Sequence, residues 1–380
     1  MASNKSQAKS IAHQIGYPIV VRPSYVLGGR AMEIVHNDND LEKYLDEAIQ
    51  ASDSNPVLLD RFLDIATELD IEAISDGSQV EIYGVMQHIE QAGIHSGDSA
   101  CSLPPYSLPD KVIKKIKEQV RVIAKQMDII GLMNVQMAYA NEEIFLLEVN
   151  PRASRTIPFV SKAIGLPLAK IASKTMIGKS LKQQKIKNPS NLNHFSVKEA
   201  VLPFDRFQNV DPILGPEMKS TGEVMGIGTS FAEAYDKSQI SAGTIIPDGG
   251  SVFLSVREND KPHLEELVTR LDQLNLSIVA TKGTAREIQN MGIKARIINK
   301  VAEGRPHVVD LIKNNEISLL INTTEGKESI QDSSSIRRTA LDNKIPCTTT
   351  LQGGLAICEV LEKRLDWSVQ NIQDIHKSIE

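Results

Sequence analysis

The chain has 380 residues, with 42 Lys and Arg against 48 Asp and Glu, a formal net charge of −6, 41% apolar and 24% charged residues. That length is enough for two or three domains with cores of their own, and the composition excludes disordered and membrane-inserted classes. The negative balance argues against nucleic acid as a partner held by bulk attraction, although local basic pockets for phosphates are compatible with it. Three scattered cysteines, Cys101, Cys347 and Cys358, form neither a disulfide framework nor a metal-ligand spacing. With no leader-like apolar run and no stretch of ~20 apolar residues, the expected compartment is the cytoplasm.

A short polar helix is expected over Ser3–Ile15, then a strand Ile19–Val21 that ends at Arg22. The loop after it holds paired glycines, Gly28 and Gly29, which let backbone N–H groups approach phosphates closely. Asp38–Ala51 reads as an amphipathic helix with Leu41, Tyr44, Leu45 and Ala48 on one side, followed by a strand Val57–Asp60. Thr67–Ala73 alternates strictly, so Glu68, Asp70 and Glu72 share one face of a strand; a solvated acidic face and a ligand face are both open readings for Asp70 and Glu72. Glu81–His88 is a further strand. The loop Ile89–Ser99 after it is dense in groups that hydrogen-bond, His95, Ser96 and Asp98 among them.

Leu108–Met127 has helical periodicity with Val112, Ile116, Val120, Ile123 and Ala124 inward, and Gly131–Met137 begins a strand pair. In the second member, Glu148 and Asn150 alternate with Leu147 and Val149, so the oxygen-bearing side chains face a ligand while the apolar ones pack behind. Pro151 ends the pairing, and Arg152 and Arg155 leave the strand end as fixed positive charges. A carboxylate, an amide oxygen and two guanidinium groups this close suit a magnesium ion bridging phosphate oxygens. In the hairpin, Gln136 lies opposite Glu148. A helix rich in small residues is expected over Phe159–Ile177, then a polar surface connection over Lys179–Asn193 and a strand Ser196–Pro203.

The stretches Tyr17–Ala31 and Leu146–Arg155 together resemble the paired signatures of the carbamoyl-phosphate synthase large-subunit family, whose synthetase halves are ATP-grasp ligases. The resemblance runs from about Ile15 to the C-terminus and covers only the last part of that long subunit: its first synthetase half and the opening subdomain of its second half have no counterpart here. It implies Arg22, Gly28, Gly29, Asp60, Glu68, His95, Ser96, Gln136 and Glu148 as ATP contacts, and Gln136, Glu148 and Asn150 as ligands of Mg2+ (or Mn2+). Arg152 and Arg155 would be catalytic, and K+ would lie near Glu68. Glu90, Asp98, Glu199 and Thr349 match positions that hold the activator ornithine in enterobacterial members. Cys347 stands where those members carry Tyr, which puts that activation in question.

Gly215–Gly228 matches the family's ending of the synthetase module, and the boundary is expected near Gly243. Beyond it strands and helices alternate: strands over 251–256, 277–280, 295–298, 318–321 and 347–350, helices over 261–274, 284–291, 308–314, 334–343 and from Gly354. Such alternation implies a parallel sheet with helices on both faces and ligands at the carboxyl ends of the strands. Thr281–Thr284 and Asn322–Thr324 stand at two such ends, the first leading straight into a helix whose N-terminal amides form an anion site. This part resembles the same family's methylglyoxal-synthase-like regulatory domain, which implies UMP or IMP bound by Ser255, Lys261, Thr281, Lys282, Thr284, Lys300, Asn322, Thr323 and Thr324.

The expected architecture is therefore a partial ATP-grasp (α+β) module over 1–182, a connection over 183–242, and a doubly wound parallel-sheet domain over 243–380. The implied function is ATP-dependent phosphorylation of carbamate to carbamoyl phosphate, for arginine and pyrimidine biosynthesis. Ammonia would come from a glutaminase small subunit, in an oligomeric assembly. Two other readings stay open: a non-catalytic nucleotide-binding regulatory protein, and a methylglyoxal-synthase-like lyase, the latter weakened because Arg305 stands where that family has its Asp.

Overall fold

The computed structural model describes the chain except for residues 24–31, 52–55, 64, 187–191, 208, 209, 216, 325, 365, 366, 368 and 380. The first unit runs α1 (Lys5–Ile15), β1 (Ile19–Pro23), β2 (Glu33–Val35), α2 (Asp38–Ala51) and β3 (Val57–Arg61), with the strands in an antiparallel sheet of order β2-β1-β3. Helix α1 is less polar in effect than its composition: Ala8 and Ala12 are fully buried against Ile19, Val21 and Leu41. Its outer face pairs through Lys5 with Asp46 and Lys9 with Glu42 on α2.

The second unit holds β4 (Thr67–Asp76), β5 (Val80–His88), β6 (Cys101–Leu103), α3 (Asp110–Gln126), β7 (Ile130–Ala140) and β8 (Glu143–Asn150). After them come α4 (Ile157–Ile164), α5 (Leu168–Met176), α6 (Leu181–Gln184), β9 (Phe195–Val201), β10 (Gly222–Gly228) and α7 (Phe231–Ala242). Its sheet is antiparallel throughout, in the order β10-β9-β6-β5-β4-β7-β8. One face is apolar and covered by α3, where Ile116, Val120 and Ala124 meet Leu69, Ile71, Val135 and Met137.

Three expectations in this unit are corrected. The helix over 159–177 is two helices, because Gly165 caps α4 in the left-handed region at φ 71° and Pro167, lacking an N–H, starts the next segment. The polar connection after it contains α6, capped by Ser180, whose Leu181 is buried. Leu147 does not pack behind Glu148: it is 40% exposed on an edge strand, where the β7–β8 register shifts between Gln136 and Met137 and takes it out of the alternation.

The third unit alternates as expected: β11 (Ser251–Ser255), α8 (Leu264–Gln273), β12 (Ser277–Thr281), α9 (Lys282–Asn290), β13 (Arg296–Ile298), α10 (Val308–Lys313) and β14 (Leu319–Asn322). It closes with α11 (Gly326–Asp342), β15 (Cys347–Thr348), α12 (Leu351–Lys363) and α13 (Ile372–Lys377). The five strands are parallel in the order β13-β12-β11-β14-β15, with α8 and α12 against one face and α10 and α11 against the other. Helix α8 starts at Leu264 rather than 261, because Pro262 lies in a 3-10 turn over Glu258–His263. Helix α11 begins at Gly326, two turns ahead of the expected Ser334. Helix α12 begins at Leu351, capped by Thr350, and takes Gly353 and Gly354 inside it, where a Cβ would collide with Thr348 or crowd Ile321 and Leu267.

The second and third units share one core. Phe231, Ala234 and Tyr235 of α7 cluster with Val252, Leu267 and Ile357, and Tyr106 stacks on Phe231 at 3.9 Å between ring centroids. A Cβ at Gly226 would lie 2.0 Å from the Ala234 carbonyl oxygen, so only glycine lets β10 press this closely onto α7. A second tie is Arg337 on α11, fully buried, whose Nε donates to Asp211 Oδ1 at 2.8 Å, while Arg338 donates to the Phe204 and Phe207 carbonyls. Among the described residues no helix is long and apolar enough to cross a membrane.

Candidate functional site

The strand pairing builds the site. Asp70 pairs with Gln136 and Gln136 with Glu148; one step along, Glu72 pairs with Asn134 and Asn134 with Asn150. Directly paired residues point to the same face, so three adjacent strands present carboxylates and amides together, opposite the apolar face under α3. Glu148 is exposed, and Gln136 and Asn150 are half-buried. Arg152 Nη2 donates to Asn150 Oδ1 at 3.2 Å and Arg152 Nη1 to the Ala153 carbonyl at 3.1 Å, which folds this guanidinium back over the strand end. Gln136, Glu148 and Asn150 supply one charged and two neutral oxygen donors, a set suited to a hard divalent cation whose remaining positions are filled by water and phosphate oxygens.

Asp70 and Glu72 are not a solvated acidic face. They are 2% and 0% exposed, met by His88 on β5 and by Ser154 and Thr156 after β8. Asn134 Nδ2 donates to Asp70 Oδ1 at 3.0 Å and to Glu72 Oε1 at 2.7 Å. His88 Nε2 bonds Asp70 Oδ2 at 3.0 Å. Burial alone would raise the Asp70 carboxyl, but the bonds from His88 and Asn134 prevail and hold it below the usual range; burial likewise opposes the charge on His88, and Asp70 raises it. Burial pushes Glu72 up to about 7 despite its donors, and raises Glu68, whose carboxylate accepts the Gly93 N–H at 3.3 Å.

The 89–99 loop brings His95 beside Arg155. A Cβ built on Gly97 would lie 3.2 Å from His95 Nδ1 and 3.4 Å from Arg155 Nη1, so both rim the same hollow. His95 Nδ1 accepts the Gly97 N–H at 3.0 Å, leaving the ring proton on Nε2, and burial with the Arg155 charge favours the neutral ring. Ser96 meets the centre through its carbonyl, which accepts from the fully buried Lys198 Nζ at 3.0 Å. Arg22 and Asp60 lie on the three-stranded sheet and face each other at 3.5 Å, whereas Gly28 and Gly29 fall outside the described residues.

The four residues matched to an activator divide. Burial raises Glu90 to about 7 against the Ala100 N–H and the His88 and Lys198 charges, and burial first, then the neighbouring Glu90, raises Glu199 to about 8. Asp98 is 1% exposed and accepts the Lys219 and Ser220 N–H groups, both at 2.8 Å, so its carboxylate anchors that backbone. Thr349 sits half-buried just before the cap of α12. Residues missed from sequence are Asn134, His88, Lys198, Ser154 and Thr156. Asn134 was findable, because it alternates with Gln136 on one strand.

A second cluster forms at the carboxyl ends of β11, β12 and β14. Ser255 Oγ and Thr281 Oγ1 are 3.2 Å apart, Thr284 Oγ1 accepts the Val256 N–H at 3.1 Å, and Thr323 Oγ1 accepts the Arg257 N–H at 2.9 Å. Lys261 Nζ pairs with Glu258 at 2.6 Å and would lie 3.4 Å from a Cβ on Gly283, at the start of α9. Lys282 and Lys300 are exposed at the same edge, and Thr324 is half-buried. Asn322 is 1% exposed, yet among the described residues neither its amide nitrogen nor its amide oxygen has a hydrogen-bond partner, a cost rarely left standing without a bound group or water. Arg305 is exposed and pairs with Asp310, with Nε 3.0 Å from Oδ1.

Residues 1–184 match the family described as carbamoyl-phosphate synthase L chain, ATP binding domain, and residues 263–349 match the MGS-like domain. The carbamoyl phosphate synthase large chain of Pseudomonas syringae pv. tomato is 56% identical over 377 residues, 99% of this chain and 35% of that protein. The Pseudomonas aeruginosa large chain is 57% identical over 379 residues, again 35% of its length, so the chain spans about a third of these relatives. Among solved structures, the biotin carboxylase domain of Hydrogenobacter thermophilus 2-oxoglutarate carboxylase, in complex with MgADP and bicarbonate, matches with a TM-score of 0.51 at 17% identity, over 63% of this chain and 59% of that one. Carboxyaminoimidazole ribonucleotide synthase from Aspergillus clavatus matches with a TM-score of 0.50 at 16% identity, over 64% and 66%. Both likenesses concern the fold.

Proposed function

The chain carries the ATP-binding domain of carbamoyl-phosphate synthase L chains and an MGS-like domain, and corresponds to the C-terminal 35% of the large chains; from this we propose its function. In the complete protein, this part phosphorylates carbamate with ATP to give carbamoyl phosphate and ADP. A carbamate oxygen attacks the γ-phosphorus as the bond to the β,γ-bridging oxygen breaks. Gln136, Glu148 and Asn150 hold Mg2+ or Mn2+, which when bound neutralises charge on the phosphates. Arg152 and Arg155 stabilise the charge developing on the transferred group, and neutral His95 contributes an N–H beside Arg155 without moving a proton. Arg22, Asp60, Glu68, Ser96 and the Gly28–Gly29 loop complete the nucleotide contacts, with K+ near Glu68. The observation that carries this reading is the unbroken register Asp70–Gln136–Glu148 over Glu72–Asn134–Asn150, which converges the donors on one face. A glutaminase small subunit is the proposed ammonia source. The 380-residue chain alone is expected to form no carbamoyl phosphate from bicarbonate, ammonia and ATP, since it matches only a third of its relatives. A coupled assay that detected turnover would overturn this.

The 243–380 unit is proposed to bind a nucleoside monophosphate, UMP or IMP, at the carboxyl ends of β11, β12 and β14. The unpartnered amide of Asn322 supports this. A phosphate there gains from the α9 amides, from hydroxyls and from Lys300 and Lys282, at about 1.5–3 kcal/mol per charged hydrogen bond. Lys300→Ala and Thr284→Ala are each expected to weaken UMP binding roughly tenfold. Lys377→Ala on α13, where Lys377 pairs with Asp374 on the surface, leaves affinity unchanged. Calorimetric titration decides it: equal affinities in all variants would remove the assignment. The Glu90–Glu199 pair is the proposed seat of a cationic effector such as ornithine. A lyase activity is disfavoured, because Arg305 supplies no carboxylate base and neutralises Asp310 beside it.

A further inference from the structure

We propose that Glu72 is a positioning residue that holds the arginine-bearing segment 152–156 in place over the phosphate-facing sheet, acting through Ser154 and Thr156. The inference rests on the phosphoryl-transfer reading above and adds a residue to it.

Glu72 is fully buried on β4, on the face that carries Asp70, and its Oε1 is the convergence point of three donors from two other elements. Asn134 Nδ2 on β7 donates to it at 2.7 Å, Thr156 Oγ1 at 2.6 Å, and Ser154 Oγ closes the set. The two hydroxyl oxygens lie 2.8 Å apart, and Ser154 Oγ accepts the Thr156 N–H at 3.1 Å. The segment between the end of β8 and the start of α4 is thus pinned to a strand 82 residues earlier in sequence. Arg152 and Arg155 flank the pinned Ser154, so their backbone cannot shift without breaking these bonds.

The behaviour of Thr156 argues that this is more than helix capping. It stands at the N-cap of α4, where a threonine hydroxyl ordinarily accepts an N–H of the first turn, yet it makes no side-chain cap bond. Its hydroxyl is turned to Glu72 instead. Among the described residues Glu72 Oε2 is buried without a partner, so the acid contributes one working oxygen, an acceptor that an amide can replace. The same Asn134 amide that bonds Glu72 also bonds Asp70 and pairs with Asn150, so the anchor of the arginine segment and the metal-facing row share one side chain.

The test uses the full-length large chain containing this sequence, with ATP formation from carbamoyl phosphate and ADP as the assay. Glu72→Ala should lower kcat about a hundredfold, with KM for ADP changed less than about threefold, because misplaced charges lose rate before they lose binding. Ser154→Ala combined with Thr156→Ala should lower kcat by a similar factor, and adding Glu72→Ala should cost no more than about a further twofold, as for residues acting in one network. Glu72→Gln keeps the acceptor and should recover activity to within about fivefold of the unmodified protein. Independently of turnover, Glu72→Ala in the 380-residue chain should speed hydrogen exchange of the 152–156 amides roughly tenfold or more, with core amides unchanged. Unchanged kcat and unchanged exchange in folded Glu72→Ala, or losses that simply multiply in the triple variant, overturn the proposal. If Glu72→Ala does not fold, the combined Ser154→Ala and Thr156→Ala variant takes its place: lowered kcat with faster 152–156 exchange supports the proposal, and neither change overturns it. Activity retained by Glu148→Gln would instead overturn the phosphoryl-transfer reading, while the exchange measurement still decides whether Glu72 holds the segment.

Discussion

Glu148→Gln, made in the full-length large chain, is expected to abolish ATP formation from carbamoyl phosphate and ADP, a loss of roughly a thousandfold or more, with the fold intact. Glu148 is the only full charge in the proposed cation set; Gln136 and Asn150 contribute neutral amide oxygens. An amide at 148 preserves shape and one oxygen but removes the charge that holds a divalent cation against phosphates. The side chain is exposed on the edge strand β8, so the substitution leaves no buried group unpaired and circular dichroism should be unchanged. Near-normal ATP synthesis by this variant would refute the metal assignment.

Asp211→Ala is expected to destabilise the 380-residue chain by about 3 kcal/mol, read as a lowered denaturant midpoint, because it strands a buried cation. Arg337 is 1% exposed and receives its only carboxylate among the described residues from Asp211, 126 residues away, with a further bond to the Ile330 carbonyl. One of its nitrogens, Nη1, is already buried without a partner, so little else can absorb the charge. Adding Arg337→Met to Asp211→Ala should restore a large part of the loss, since an apolar side chain of similar length needs no counter-ion. A midpoint unmoved by Asp211→Ala would show that water reaches the guanidinium.

Helix α11 follows the Asn322–Thr324 strand end and carries Arg337 to Asp211 and Arg338 to Phe204 and Phe207, so the same ties join the two halves mechanically. Burial of Tyr106, Phe231 and Tyr235 between the antiparallel and parallel sheets adds an apolar junction beside this polar one. The change in periodicity near Gly243, a glycine that caps α7 at φ 91°, was legible in the chain. The shared core that crosses it was not.

The features legible in the chain alone were local and periodic. Alternation of period two marked Glu68, Asp70, Glu72, Glu148 and Asn150 as face-sharing, the Gln136–Glu148 pairing followed from a single short hairpin, and the strand–helix repeat after Gly243 implied the parallel sheet. Three-dimensional packing alone settled which of those faces meets solvent and which distant groups meet each other. Alternation left a solvated face and a ligand face both open for Asp70 and Glu72, and they are buried because His88 on β5 and the distant segment carrying Ser154 and Thr156 meet them. The exposure of Leu147 depends on a bulge and an edge position, and the Arg337–Asp211 pair on two segments that meet although 126 residues apart. Pattern along a chain reports the direction of a side chain relative to its own backbone, whereas burial and pairing depend on what packs against it, which no local period encodes.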